Sequence, residues 1–263
     1  MQDDETAKNA NRARADVTIP ADAAPGIVRV SLKSPGGATA ELPFAVTAFP
    51  EVAEVGANEA QATAPKIALP ATVVGSLDRA GDIDYYRFDA AAGQQLGVEV
   101  VASAIGSKLE PVLTLTDSSS RVLAETTGTL LGHTIEQAGT YVLRVRDVDY
   151  RGSGEMFYRV NVGPVPIITD VFPLGVARGS EIDVEVRGVN LGDVRTVKIK
   201  AAENAAADSR VDLAVRLAGT PAGAPPAAYS APLNSKNLVV SEFAEVVESG
   251  ANDDAAGANA VAM

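Results

Sequence analysis

The chain contains no cysteine, no tryptophan and one histidine, and aromatic residues fill only 5% of its 263 positions. Without cysteine there is no disulfide framework, no thiolate metal site and no cysteine nucleophile. A Ser-His-Asp relay would have to use His133, in LLGHTIEQAG, and no G-x-S-x-G turn accompanies it. His133 is read instead as a strand or loop residue. H-E-x-x-H, phosphate-loop and G-x-G-x-x-G patterns are also absent. Basic residues are scarce, 22 against 34 acidic, for a net charge of −12. Such a chain repels phosphate backbones and anionic lipid, which excludes nucleic acid as the expected partner and makes cations the natural ligands. No apolar run approaches the roughly 18 residues of a membrane helix, so no membrane insertion is expected. The stretch MQDDETAKNANRARAD has no apolar centre and does not read as a signal peptide.

What the chain does have is short alternating apolar runs separated by turn residues. GIVRVSLKSPGGATAELPFAVTAF (26–49) reads as strand, Pro-Gly-Gly turn, strand. DYYRFDA, QLGVEVVA, PVLTLTD, RVLAET, TYVLRVRD and FYRVNVG read as six strands within 84–163, joined by AAG, DSSSR, EQAG and RGSG. EIDVEVRGVNLGDVRTVKIKAA (181–202) gives two more around a Gly-Val-Asn-Leu-Gly corner. Close strands without intervening helices predict an all-β chain of sandwiches. Alanine supplies much of the 46% hydrophobic content, so the cores are expected to be thin, built of Val, Ile, Leu and a few rings.

One segment occurs twice. FPEVAEVGAN begins at Phe49 and FAEVVESGAN at Phe243, with seven of ten positions identical and a strand-like end before each copy. The repeat predicts a tandem array cut within a longer polypeptide.

Residues 54–163 resemble the bacterial pre-peptidase C-terminal (PPC) domain, a jelly-roll-like β-sandwich. The resemblance rests on LPATVVGSLDRAGDIDYYRFDAAAGQQLGVEV, LEPVLTLTDSSSRVLAE and AGTYVLRVRDVDYRGSGEMFYRVNV. These carry, in order, the Gly-x-Leu strand, Gly-Asp-x-Asp-Tyr, the aromatic-x-Phe strand, the Gly-Gln-x-Leu turn, Gly-Thr-Tyr and Tyr-Arg-Val. PIITDVFPLGVARGSEIDVEVRGVNLGDV resembles the IPT/TIG class of immunoglobulin-like domains, with Leu191 where an aromatic is usual. ADVTIPADAAPGIVRVSLKSPGGATAELPFAV resembles the end of another. The chain thus divides into five parts: 1–48, the end of an Ig-like domain; 49–65, an acidic linker; 66–163, the PPC-like sandwich; 164–243, an Ig-like domain; and 244–263, a linker to a further repeat.

Alternation along the strand puts positions 82, 84, 86 and 88 on one face. Tyr86 and Phe88 belong to the core, so Asp84 sits at the margin of an apolar surface and needs a partner. Backbone N–H groups of the Arg-Ala-Gly-Asp turn or a bound cation could serve. Collagen-binding relatives hold calcium with an acidic linker and aspartates of the Gly-Asp-x-Asp motif. Carried over, that set is Glu54, Asn58, Glu59, Asp82 and Asp84, with Gly56 standing where a second Glu would be. Ca2+ wants six to eight oxygens, so this reduced set implies weak binding at about 0.1–1 mM. The alternative is an Asp pair capping its own turn. Tyr150, beside Arg151 in RDVDYRGSGE, is the surface candidate for contact with a ligand. Tyr158 is read as a core residue. The expected role is non-catalytic. The chain would be a binding or targeting module for an extracellular protein or polysaccharide, monomeric within a secreted, periplasmic or cell-surface protein. An accessory region of a secreted peptidase and a structural stalk are the alternatives.

Overall fold

A computed structural model describes residues 15–20, 23–54, 56–218 and 229–246. Of the linker expected at 244–263, only 244–246 fall among them. The described chain is all β, apart from two single turns of 3-10 helix at Gln61–Thr63 and Ser103–Ile105. Strand β1 (Gly26–Val30) pairs antiparallel with β4 (Leu42–Val46), and a small hairpin of β2 (Lys33–Ser34) and β3 (Gly37–Ala38) lies between them.

The central unit follows. Its strands are β5 (Glu51–Ala53), β6 (Ala71–Ser76), β7 (Ile83–Ala90), β8 (Gln95–Val101) and β9 (Pro111–Asp117). They continue with β10 (Val122–Thr127), β11 (Leu130–Thr134), β12 (Gly139–Asp147) and β13 (Phe157–Gly163). One sheet has the order β10-β9-β12-β7, the other β11-β8-β13-β6-β5. Strand β7 shows why they pack face to face: Asp84, Tyr86, Phe88 and Ala90 point inward, and Arg87 and Asp89 point to solvent. Phe88 stacks on Tyr141 of β12 with ring centroids 6.3 Å apart. Leu96, Leu113, Leu115, Leu143, Val98 and Val160 close the core from both sheets, each contributing about 1.5–3 kcal/mol through burial. The Gln94 side chain accepts the Ala91 N–H, and Gly93 takes φ +78° in the turn that delivers β8.

β5 is the exception to sequence expectation. Glu51–Ala53 lies within the acidic linker, yet it adds in parallel to the edge of the sheet beside β6, with Glu51 opposite Thr72 and Ala53 opposite Val74. Lys66 makes a further bridge with Arg87, so the linker is strapped along the sandwich.

The C-terminal unit consists of β14 (Ile167–Phe172), β15 (Gly175–Ala177), β16 (Glu181–Val189), β17 (Thr196–Lys200), β18 (Arg210–Leu213) and β19 (Lys236–Ser241). They form two three-stranded sheets, β14-β16-β17 and β15-β19-β18, around a second core that includes Leu191. The Gly-Val-Asn-Leu-Gly corner does more than turn the chain. Asn190, at φ 57°, donates its side-chain amide to the Val165 carbonyl (2.8 Å) and its backbone N–H to Gln95 of the sandwich. At Gly97 a Cβ would fall 2.1 Å from the Val165 carbonyl oxygen, so only glycine allows this approach. Phe49, Val165, Ile167, Val189 and Tyr229 form a small third core where the units meet.

Candidate functional site

The Gly-Asp-x-Asp motif lies where the turn after β6 enters β7. Asp82 accepts the Asp78 N–H at 2.8 Å and so caps its own turn. Its other oxygen, Oδ1, is buried without a hydrogen-bond partner; the Arg79 guanidinium, at 3.8 Å, is too far to donate. Asp84 is only 1% exposed. Its Oδ2 accepts the Tyr158 hydroxyl at 2.5 Å, and the Tyr86 and Tyr158 hydroxyls are 2.6 Å apart. Asn58 Nδ2 donates to the Tyr86 oxygen (3.2 Å) and to Glu54 Oε1 (2.9 Å), and Glu54 Oε2 accepts the Ser76 N–H (2.9 Å). One consistent donor direction therefore runs Asn58, Tyr86, Tyr158, Asp84, and such chains strengthen by mutual polarisation.

Burial pushes the Asp84 carboxyl up to about 8, against the Tyr158 hydrogen bond, and the charges of Glu54 and Asp82 push the same way. Burial also raises both phenols, so their protons stay in place. The site is a proton-holding acid cluster tied to a tyrosine pair. Glu54, Asn58 and Asp84 are joined through the tyrosine pair, and Asp82 caps its own turn beside them. The Glu59 carboxylate instead turns out to Arg79 at 3.0 Å, which holds it below its ordinary value. Among the described residues no three acidic or histidine side chains stand in metal-holding geometry, so a cation would need these side chains to turn.

Gly75 explains the glycine of the Gly-x-Leu strand. A Cβ there would lie 2.6 Å from both Glu54 Oε2 and the Tyr158 hydroxyl. Gly75→Ala is expected to cost about 1–3 kcal/mol by overpacking. Urea unfolding should show it as a lower midpoint at unchanged slope, and an unchanged midpoint would mean that the network is slack.

Asp147, at the end of β12, was not anticipated from sequence. Fully buried, it accepts N–H groups from Glu110 (3.2 Å), Asp149 (3.0 Å) and Arg151 (3.1 Å), and the Arg151 guanidinium at 2.9 and 3.0 Å. Burial pushes its carboxyl up, but these hydrogen bonds outweigh burial and hold it at about 2. Arg151 Nη2 also reaches Glu110 at 2.8 Å, so Nε and Nη2 tie the loop to Asp147 and Glu110. Tyr150 is exposed, held at φ 56°, with the Arg146 guanidinium 4.5 Å above its ring. The same loop packs on the Asp82 turn: the Tyr150 carbonyl accepts the Gly81 N–H, and a Cβ at Gly152 would meet the Arg79 carbonyl oxygen at 1.9 Å. Tyr150 and Asp82 thus belong to one end of the sandwich. His133 lies on β11, away from this end, at a polar cleft of about 430 Å³ with Arg121 and Glu136. Among the described residues no helix is long and apolar enough to cross a membrane.

No family model matches the chain, and no curated protein does. Among solved structures it is similar to the pre-peptidase C-terminal domain of a collagenase from Bacillus anthracis. The identity is 23%, covering 38% of this chain and 93% of that domain, with a TM-score of 0.31. It is also similar to a periplasmic inhibitor of g-type lysozyme from Aeromonas hydrophila (15% identity, 44% and 96% covered, TM-score 0.30). The Salmonella Typhimurium inhibitor gives 18% identity, 43% and 96% covered, and a TM-score of 0.27.

Proposed function

We propose that this chain is a non-catalytic binding or targeting module of a secreted or cell-surface multidomain protein, with a PPC-like sandwich braced by calcium between Ig-like neighbours. The observation that carries the reading is the buried acid pair: Asp82 keeps an oxygen without a partner, and Asp84 is driven toward its protonated form. Both acids are buried, Asp82 at 5% and Asp84 at 1% exposure, which argues against proton transfer to a ligand. A hard divalent cation suits an all-oxygen donor set. Glu54, Asn58, Asp82 and Asp84 would hold it, fastening the linker to the sandwich, while Glu59 stays with Arg79. Exposed Tyr150 with Arg146 is the ligand-facing feature at the same end. A spacer role is the second reading, favoured by the interlocked junction of Gly97, Val165 and Asn190.

Titration calorimetry tests the first part. Calcium is expected to bind at about 0.1–1 mM, more weakly in Glu54→Gln, and without measurable heat in Asp82→Asn. Equal binding in all three removes the site. Retention on insoluble collagen and polysaccharides tests the second part: loss on Tyr150→Ala supports a binder, whereas no retention of the parent protein leaves the spacer.

A further inference from the structure

The two copies of the repeated segment open with the same turn and differ in what covers it. Thr47 donates its hydroxyl to the Phe49 carbonyl (3.5 Å) and to Glu51 Oε1 (3.2 Å). In the second copy Ser241 donates to the Phe243 carbonyl (2.5 Å) and to Glu245 Oε1 (3.2 Å). Each turn follows the end of a strand, β4 in one case and β19 in the other. Phe49 is 4% exposed in the third core, whereas Phe243 is 80% exposed. After Phe49 the chain adds to the sandwich edge as β5, Glu51 pairs with Arg159, and Val52 packs against the sandwich core. After Phe243, Glu245 has no cationic partner among the described residues, and Val246 is exposed. The apolar surface extends beyond the turn. Val239 donates its N–H to the Leu174 carbonyl, Glu245 lies over Gly175, and both Leu174 and Val239 are exposed.

We infer that Ser241–Val246 is a docking edge for a second β-sandwich of the kind formed by residues 56–163, joined to the unit that follows it. Phe243 would seat in a core like that of Val165, Ile167, Val189 and Tyr229, which the unit after the sandwich supplies, and Glu245–Val246 would add in parallel to the sandwich's free edge strand. The occupant is argued from the first copy, where the matching segment, in the same hydrogen-bonded turn, is covered at Glu51–Ala53 by such a sandwich and at Phe49 by the unit that follows it. The edge needs what β5 found: an unpaired strand edge, an arginine placed like Arg159, and an apolar socket. The inference does not depend on calcium.

The test appends residues 59–242, the sandwich and the unit after it, following Asn252, the register dictated by the match between Asn58 and Asn252. Because the chain has no cysteine, V246C supplies a unique thiol of similar size. In the parent chain that thiol should label at the rate of a free thiol; in the extended chain labelling should slow by at least about tenfold, as local opening becomes rate-limiting. Phe243→Ala should restore fast labelling in the extended chain and lower the melting temperature of the appended units by about 5–10 °C. The same substitution should leave the parent chain's melt unmoved. An appended sandwich that stays unfolded, or that folds while the thiol labels as fast as in the parent, overturns the inference.

Discussion

In the absence of divalent cations, the melting temperature of this protein is expected to fall as pH is raised from 5 to 8. The native Asp84 carboxyl titrates at about 8, and in the unfolded chain an aspartate titrates near 3.9. Between those values the native state holds one proton that the unfolded state has lost, so stability declines as pH rises through the window. Below about pH 4 both states are protonated at this position and the contribution levels off. The loss across the window is a few kcal/mol, since the carboxyl is buried beside Glu54, Asp82, Tyr86, Tyr158 and Asn58. Calcium should reverse the trend, because cation and proton compete for the same oxygens. Its stabilising effect should be greater at pH 8 than at pH 5, and binding at pH 7 should release close to one proton. Asp84→Asn should flatten the profile and abolish the calcium response together. Melts in chelator and in millimolar calcium, at three pH values, suffice. A metal-free melting temperature that stays level from pH 5 to 8 would show that Asp84 titrates normally.

Asp147→Ala is expected to be the most damaging single side-chain truncation in the sandwich, at about 3–5 kcal/mol. The carboxylate satisfies three backbone N–H groups and the guanidinium of Arg151, and alanine leaves the three amides without their acceptor and the guanidinium with Glu110 alone. Arg151→Ala should cost less, about 1–2 kcal/mol, because the three amides keep their acceptor and the guanidinium is partly exposed. Urea unfolding of both variants checks the order, and a larger loss in Arg151→Ala would mean that the pair, not the amide cluster, holds the loop. Because the loop packs on the Asp82 turn, Asp147→Ala should also weaken calcium binding. The pH signature of Asp147 is opposite to that of Asp84. Its carboxyl sits at about 2 in the native state, so its stabilisation is present above the unfolded value near 3.9 and is lost as pH falls toward 2. Metal-free stability should therefore peak near pH 4–5.

Strands with strict alternation or strong turn chemistry were legible in sequence: DYYRFDA became β7, and TYVLRVRD became β12. ATVVGS and LLGHT do not stand out by alternation, because a glycine interrupts a short apolar run in each; the first is marked only by the resemblance, as the Gly-x-Leu strand. β5 was read as linker, since acidic and alanine-rich residues have low strand propensity; pairing with the open edge beside β6 overrides it. The inward face of Asp84 followed from period two. Its partner Tyr158, 74 residues downstream, did not, because long-range hydrogen bonds leave no local pattern. Asp147 was hidden for the same reason: Arg-Asp-Val-Asp-Tyr reads as a polar loop until Glu110 and Arg151 are seen converging on one carboxylate.

The placement of β5 has a mechanical meaning. The chain enters the sandwich at Glu51, opposite Thr72, and leaves it at the end of β13, where Val162 lies opposite Ala71. Both points flank β6 at the same end of the sheet, about 10 Å apart by strand spacing. Tension along the polypeptide would therefore cross that narrow base and bypass the rest of the sandwich. The domain hangs from the strained axis as a pendant, its Tyr150 tip held outward and unloaded.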